Sequence, residues 1–203
     1  MPKVSQSYLD ARREQILHAA VVCFSREGFH RATMQDVVKE SGMSPGAIYN
    51  YFASKDEIIV AIASGRLAKE RRRFEAARNT NSFAAAVALL RDAYLGELKN
   101  PKERLRRRVS IQLWAEAQRN PKIRKLVRRG LDAPRKLLRE LLTAAQRRGE
   151  ISKSLDTDSA ARFLIAVFYG LVLQVEWGEE IRVDLQSELL DAFLASLVSK
   201  PGQ

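Results

Sequence analysis

Apolar residues recur every three or four positions along nearly the whole chain, which is the spacing of amphipathic α-helices. In the first such segment, Ile16, Ala20, Cys23 and Phe24 fall on one stripe. No segment shows the sustained alternation of apolar and polar residues that is typical of a half-buried strand. The pattern therefore predicts an all-α protein.

Glycine, proline, asparagine and hydroxyl residues divide the pattern into about nine helices. Thr33 and Ser44 are predicted N-caps, with Asp36 in a capping-box position and Pro45 in the first turn after Ser44. Pro134 lies inside a long segment and is expected to kink it. The predicted helices cover approximately residues 8–26, 33–42, 44–52, 54–78, 83–98, 101–119, 121–149, 156–177 and 184–199.

A small helical region comes first along the chain and a larger one follows. We expect a three-helix domain over residues 1–54 and a larger helical domain over residues 55–203, joined through a long shared helix and not by a flexible linker.

The third predicted helix has an unusual exposed face. At about 100° per residue, Ile48 and Phe52 mark its buried side. Small residues and one amide, Gly46, Ala47 and Asn50, lie opposite. Glycine inside a helix costs about 1 kcal/mol relative to alanine, so stability alone does not explain this face. A thin face can enter the DNA major groove, where asparagine pairs with adenine and an alanine methyl contacts a thymine methyl.

Polar groups surround this face. Tyr49 and Tyr51 flank it, and Lys55 follows the end of the helix, so all three can reach phosphates. Thr33, at the start of the preceding helix, is also placed to bind phosphate. Two helices joined by the short turn "SGM" form a helix-turn-helix. An ordinary short helix of a bundle is the alternative that geometry alone leaves open.

The net charge of +11 indicates a polyanionic partner, but the charge is unevenly placed. Residues 1–60 carry seven basic and seven acidic side chains, whereas residues 101–148 carry sixteen basic and four acidic ones. Three interpretations of the basic segment remain open. It is a solvated face, it attracts DNA at long range, or it flanks the entrance for an anionic ligand such as an acyl-coenzyme A.

The sequence offers little for catalysis or metal binding. Cys23 is the single cysteine, which excludes an intramolecular disulfide and a cysteine-based zinc site, and its apolar stripe indicates a core position. His18 and His30 are the two histidines, and neither joins a nucleophile–base pattern. We therefore predict no catalytic residue, no metal, no cofactor and no enzymatic activity.

The longest apolar run, residues 163–173, has eleven residues, whereas a membrane-spanning helix needs about 20. Met1 is followed by polar residues and not by an apolar segment. We expect a soluble, cytoplasmic protein without a membrane partner.

The stretch "RREQILHAAVVCFSREGFHRATMQDVVKESGMSPGAIYNYFASKDEII" resembles the DNA-binding domain of TetR-type bacterial transcriptional regulators. The resemblance covers roughly residues 12–60, and the remainder is similar only in its all-helical pattern and length. It implies a homodimer that binds a palindromic double-stranded DNA operator, usually as a repressor, and is released by a small-molecule effector. A helical sensor or interaction protein with weak or non-specific DNA binding is the alternative.

Carried over position by position, the resemblance assigns phosphate contacts to Thr33, Ser44, Tyr49, Tyr51 and Lys55. It assigns entry into the groove to Pro45, Gly46, Ala47 and Asn50. The chain departs from the commoner family pattern at Ala47 and Asn50, where threonine and tyrosine are frequent. The resemblance therefore implies DNA binding but no particular operator sequence.

The resemblance also implies dimerisation through the last two helices. The first of these is apolar almost all round between Ala160 and Val175, so a second face needs cover from a partner, unless it is buried within a monomer. The predicted interface residues are Phe163, Val167, Gly170, Leu171, Leu189, Phe193 and Leu197.

An effector pocket is expected between helices of the larger domain, where aromatic surface occurs with a few polar atoms. Its effector is unknown and either anionic or hydrophobic. The candidate lining residues, each of which has an ordinary core position as its alternative, are Tyr94, Gln112, Trp114, Phe168, Tyr169, Gln174 and Trp177.

Overall fold

The computed structural model describes residues 5–198, and its regular elements in that range are nine α-helices. A single isolated antiparallel bridge in the same range joins Ile151 to Val198. The predicted all-α class is confirmed. The helices are α1 Gln6–Glu27, α2 Met34–Ser41, α3 Pro45–Tyr49, α4 Lys55–Arg78, α5 Phe83–Lys99, α6 Pro101–Glu116, α7 Pro121–Arg147, α8 Thr157–Glu176 and α9 Val183–Ser196.

Seven of these helices begin at a side-chain cap. In each, an oxygen of the capping residue accepts a hydrogen bond from the backbone N–H three residues on, which satisfies a donor that the first turn leaves free. The predicted caps Thr33 and Ser44 are confirmed. The seven capping residues are Ser5, Thr33, Ser44, Ser54, Ser82, Asn120 and Asp156.

Two predicted helix ends are wrong by about one turn. The helix α3 ends at Tyr49, not near Phe52, because Tyr51 N–H donates to the Ile48 carbonyl at 2.9 Å and tightens the last turn. The helix α6 ends at Glu116, not near Arg119. The predicted end of the last helix, Ser199, lies outside the described residues.

Proline does not interrupt α7. The helix passes through the buried Pro134 and continues to Arg147, although Pro134 has no N–H to donate to the carbonyl of Gly130. The kink expected there stays a prediction.

The chain packs as two units, and their limits differ from the predicted boundary at residue 54. The first unit contains the residues up to Arg66 together with Leu105–Val127. The second contains Leu67–Arg104 and the residues from Arg128 onward. The helix α4 is shared by both, as predicted. The predicted boundary at residue 54 separates two functions. Packing instead places the first half of α4, together with parts of α6 and α7, in the first unit.

The core of the first unit joins α1, α2, α3 and the start of α4. Phe24, Val37, Ile48 and Ile58 are fully buried there. Cys23 is also fully buried, which confirms its predicted core position, and burial raises the pKa of its thiol.

The core of the second unit contains apolar side chains from α4, α5, α7, α8 and α9, such as Phe74, Leu90 and Leu142. One helix of this unit, α8, is long and apolar enough by length and composition to cross a membrane, with a mean hydropathy of 1.4. The same length and composition also occur in helices of soluble proteins. Of its apolar segment, 22% is buried within the chain, most of the remainder is half-buried, and Phe163 is 51% exposed.

Candidate nucleic-acid interface

The turn between α2 and α3 is fixed at both of its ends. Gly42, with φ of 64°, adopts the left-handed conformation that glycine favours and ends α2. Gln15 of α1 donates from Nε2 to the carbonyl of Ser41 at 2.8 Å. The Ser41 hydroxyl accepts from the backbone N–H of Met43 at 3.3 Å. These bonds hold α3 at one angle relative to α1 and α2.

The start of α2 is a reciprocal capping box. The Asp36 carboxylate accepts from Thr33 N at 2.8 Å and from Thr33 Oγ1 at 2.7 Å. Asp36 N–H donates back to Thr33 Oγ1 at 3.2 Å. The hydrogen bond from the Thr33 side chain, followed by that from its backbone, lowers the pKa of Asp36. The hydroxyl proton of Thr33, which we predict to face a phosphate, is directed to Asp36 in the free protein.

The helix α3 presents the face that its sequence predicts. Ile48 is fully buried and Phe52 is 4% exposed, whereas Gly46 and Asn50 are exposed on the opposite side. A Cβ added at Gly46 would meet no atom within 4 Å, so neither packing nor backbone conformation requires glycine there. The thin face of α3 is therefore available to an external surface.

The two tyrosines behave differently. Tyr49 is 48% exposed at the end of α3. Tyr51 is half-buried, and its ring packs against the core of the first unit. Tyr49 has the freedom expected of a side chain that reaches a phosphate. The buried part of the Tyr51 ring also helps to hold the end of α3 against the core of the first unit.

Lys55 has a structural role that the sequence did not predict. Its Nζ lies 2.9 Å from the carbonyl oxygens of Phe29 and His30 and 3.2 Å from that of Ala32. An ammonium group has three donors, so all of them are used. The same nitrogen lies 4.9 Å from the centre of the Phe29 ring, a cation–π contact. Lys55 thus fastens the turn between α1 and α2, and must release a carbonyl before it binds phosphate.

Sequence reasoning also missed two supporting residues of α1. Gln15 reaches Ser41 across 26 positions, and the Arg13 guanidinium lies 5.3 Å from the centre of the Phe52 ring. Local pattern cannot reveal either contact, because both depend on how α1 packs against later helices.

Family models match two parts of the chain. The model described as bacterial regulatory proteins of the tetR family matches residues 16–62. The model described as the C-terminal part of BetI-type transcriptional repressors matches residues 86–199, more than half of the chain. The chain belongs to the TetR family of bacterial regulators. It is accordingly a DNA-binding transcriptional regulator that responds to a ligand.

Individual relatives of this TetR-family chain match it over almost its whole length. The transcriptional regulator UidR of Escherichia coli strain K12 is 27% identical over 198 residues, or 96% of each chain. The solved structure of Salmonella enterica GusR is 25% identical, has a TM-score of 0.77, and the match covers 97% of this chain and 98% of that one. A protein from Saccharomonospora viridis, solved in complex with choline, is 25% identical with a TM-score of 0.77, over 94% and 100% of the two chains.

The residues predicted to line an effector pocket divide into groups. Tyr94, Phe168 and Tyr169 come together in the second unit, with ring centres 4.9 Å apart for Tyr94–Phe168 and 5.5 Å apart for Phe168–Tyr169. The Tyr94 hydroxyl donates to the carboxylate of Glu70, which is 3% exposed. The rings and this carboxylate form a partly polar cluster of the kind that binds small molecules.

The other pocket candidates do not join this cluster within the second unit. Gln112 and Trp114 belong to the first unit, where Gln112 Nε2 donates to the Ser25 carbonyl at 3.4 Å. Gln174 is half-buried near the end of α8. Trp177, just beyond that end, is 74% exposed, which does not fit an enclosed lining position.

The predicted dimer residues fall into exposed and buried sets. Phe163 is 51% exposed and Leu189 is 65% exposed, and the Phe163 ring lies 4.9 Å from that of Phe193. Leu171 is 8% exposed, so this prediction needs correction: the side chain faces the interior of its own chain, and little of it is left for a partner. Three further candidates, Val167, Gly170 and Leu197, are half-buried.

No catalytic arrangement emerges within residues 5–198. The side chains His18 and His30 are both exposed. Over the same range, no three histidine, cysteine, aspartate or glutamate side chains lie close enough together to hold a metal ion.

Proposed function

We propose that this regulator is a homodimeric repressor whose two α3 helices bind the two halves of a palindromic operator. The observation that carries the proposal is the exposed face of α3, in which Gly46 and Asn50 point away from the buried Ile48. Such a face fits the major groove closely. Since Gly42 and Gln15 fix the preceding turn, the helix is presented to DNA without prior rearrangement.

The contacts divide between bases and phosphates. We assign base reading to Asn50, whose amide can pair with adenine, and a methyl contact to Ala47. We assign phosphate contacts on the groove rims to Ser44, to Tyr49 and to the backbone N–H of Gly46. The other N–H groups in the first turn of α3 are not available, because Pro45 has none and that of Ala47 donates to Ser44 Oγ. Because residues 1–60 carry no net charge, affinity depends on these placed contacts and not on a basic patch in this region.

Dimerisation through α8 and α9 follows from the apolar surface that the single chain leaves uncovered. Phe163 and Leu189 are large apolar side chains that are mostly exposed in one chain. A symmetric pair of chains would bury this surface against its own copy. A two-fold dimer also presents two recognition helices to two half-sites of one operator.

The effector is a small molecule that binds at the cluster of Tyr94, Phe168 and Tyr169 in the second unit. Ring faces contact the apolar or cationic part of a ligand, and the bond between Tyr94 and Glu70 offers a polar partner. Choline in the Saccharomonospora viridis structure belongs to that protein, and serves here as one compound to test. The regulator acts in the cytoplasm, where its DNA lies, and we assign it no enzymatic activity.

The decisive experiment is a binding titration with two duplexes, a palindrome from beside the protein's own gene and the same bases in scrambled order. Fluorescence anisotropy over a range of salt concentrations should show tight, salt-dependent binding to the palindrome alone. Equal affinity for both duplexes would support a helical sensor with non-specific DNA binding. Native mass spectrometry of the purified protein would report the dimer and any co-purified effector together.

A further inference from the structure

A cavity of about 570 Å³ lies in the second unit, beside the C-terminal turns of α4 and α7 and the beginning of α5. This volume is within the range of about 300–1,000 Å³ that is common for small-molecule sites. None of the residues that line it belongs to the aromatic cluster assigned to the effector. It is therefore a second place where a small molecule could bind.

The sequence of α7 explains why the cavity exists. Residues four apart on a helix share a face, so α7 presents two parallel rows to the cavity. Each row has a small residue in the middle, Thr143 or Ala144, and an arginine one turn further on, Arg147 or Arg148. Small side chains in the centre leave a depression, and the long basic ones surround it.

The floor is apolar and the rim is basic. Ala77, Ala86 and Leu141 are 1%, 3% and 5% exposed and form an apolar surface at the base. Among the described residues that line the cavity, Glu140 carries the acidic side chain. The basic lining side chains are Arg78, Arg139, Arg147 and Arg148.

Two of the four arginines already have acidic neighbours. Arg148 Nε lies 2.6 Å from Glu150 Oε1. Arg139 Nη1 lies 3.9 Å from Asp158 Oδ1, a loose pair that leaves most of its donors free. The charge of these two arginines is therefore partly compensated within the protein.

Arg78 and Arg147 have no ion pair with any acidic group of the part of the chain that the structure describes. Each lies in the last turn of its helix, where the helix dipole stabilises a cation by about 0.3–1 kcal/mol. The helix dipole accounts for one basic residue in the last turn of α4 and one in the last turn of α7. It does not explain why the two ends bring their arginines to the rim of one cavity.

We propose that this cavity binds a small molecule carrying a di- or triphosphate group. Guanidinium groups bind phosphate oxygens in pairs of charge-assisted hydrogen bonds, and Arg78 and Arg147 would bind the phosphates from opposite helices. The apolar floor accommodates the uncharged part of the ligand. The site is distinct in its residues from the aromatic effector cluster, so either can exist without the other.

Isothermal titration calorimetry of the full chain with inorganic pyrophosphate tests the proposal. The native protein should bind pyrophosphate more tightly than sulfate. The double variant Arg78→Ala/Arg147→Ala should bind it at least about tenfold more weakly, since each lost charge-assisted bond is worth a factor of about ten or more. The matched control is Arg71→Ala/Arg72→Ala, which removes the same charge from exposed positions of α4 outside the cavity and should bind as the native protein does.

Misfolding would weaken pyrophosphate binding, so a variant that binds pyrophosphate more tightly cannot be explained by misfolding. Glu140→Gln is expected to be such a variant. Removing the acidic side chain from the rim should tighten pyrophosphate binding. No heat with the native protein, or an equal loss in both double variants, would overturn the proposal. So would a selective loss of affinity for random duplex DNA with pyrophosphate binding unchanged, because the arginines would then serve to attract DNA.

Discussion

The ammonium group of Lys55 donates a hydrogen bond to the carbonyl of Phe29 at 2.9 Å and lies 4.9 Å from the centre of the same residue's ring. Two further carbonyls, of His30 and Ala32, complete the set. A side chain from the first turn of α4 thus closes the turn that leads into the capping box of Thr33. In the free protein, Lys55 stabilises the turn between α1 and α2 of the DNA-binding unit. Any contact of Lys55 with DNA is additional to this role.

Replacing Lys55 by methionine should destabilise the free protein. Methionine is of similar length but donates no hydrogen bond, so three carbonyls lose their partner. We expect a loss of about 1–3 kcal/mol in the free energy of unfolding, measured by urea titration without DNA. Operator affinity should fall as well, because Thr33 and α2 lose their fixed position.

The salt dependence of operator binding separates this role from a direct phosphate contact. If Lys55 only positions the turn, the slope of log affinity against log salt should be the same in the variant. A slope reduced by about one, with unchanged stability of the free protein, would show a direct contact and contradict the positioning role. Lys99→Met, at an exposed position of α5, is the control for loss of a lysine.

Gly46→Ala should stabilise the protein and weaken its DNA binding. The added Cβ meets no atom of the chain within 4 Å, so the helix gains the propensity difference of about 1 kcal/mol. The same methyl would stand between α3 and the groove. Gly65→Ala is the matched control, since its Cβ also meets nothing within 4 Å and it lies in α4, away from the recognition face.

Thermal unfolding and operator titration of both glycine variants check this prediction. Gly65→Ala should raise the melting temperature and leave affinity unchanged. If Gly46→Ala binds the operator as tightly as the native protein does, α3 does not approach the groove through this face.

Asn50 and Tyr49 should differ in how they affect sequence preference. Asn50→Ala should alter which base is preferred at one operator position, because its amide reads a base edge. Tyr49→Phe should weaken binding to all sequences alike, because its hydroxyl binds phosphate. Selection of bound duplexes from a randomised pool measures both. A uniform loss for Asn50→Ala would contradict its assigned role.

The sequence pattern of residues 1–60 predicts most of the features that position α3, namely its cap, the cap of α2 and its buried side. Thr33 and Ser44 cap because hydroxyl side chains satisfy free N–H groups locally, and the buried side of α3 follows from the periodicity at Ile48 and Phe52. Contacts between distant positions could not be predicted in this way. Its position just after α3 makes Lys55 look like a phosphate ligand, and nothing in the sequence places the carbonyls of residues 29–32 around it.

The second unit was less predictable for the same reason. A helix that is apolar almost all round has no favoured inward face, so Leu171 and Phe163 looked equivalent in the sequence. Packing separated them, with exposures of 8% and 51%. The basic cavity could not be predicted either, because the sequence of a charged segment does not show which of its arginines lie together in the fold.

The Asp36 carboxylate should make the stability of the first unit depend on pH on the acid side. Its pKa is lowered from the ordinary value of 3.8 by the hydrogen bonds from Thr33. A lowered pKa in the folded state contributes stability that is fully present above the unfolded value and is lost as the pH falls through the folded value. Asp36→Asn keeps an accepting oxygen but removes the charge.

This variant should therefore be less stable than the native protein at neutral pH, and the difference should close as the pH falls below about 4. Urea unfolding at a series of pH values measures it. Glu14→Gln, at an exposed position of α1, is the control for the loss of a carboxylate. A constant difference at all pH values would mean that the cap does not depend on the charge.

Leu189→Glu should convert the dimer into a monomer. Leu189 is 65% exposed on α9, and a charge there would be buried without a partner in a symmetric interface. Sedimentation velocity should show a shift from dimer to monomer at micromolar concentration, and operator affinity should fall because one chain reaches only one half-site. Val60→Glu places the same charge at a residue that is 51% exposed on α4 and should leave the dimer intact. If Leu189→Glu stays dimeric and Val60→Glu does not, the chains associate through α4, and the uncovered surface of α8 and α9 has another partner.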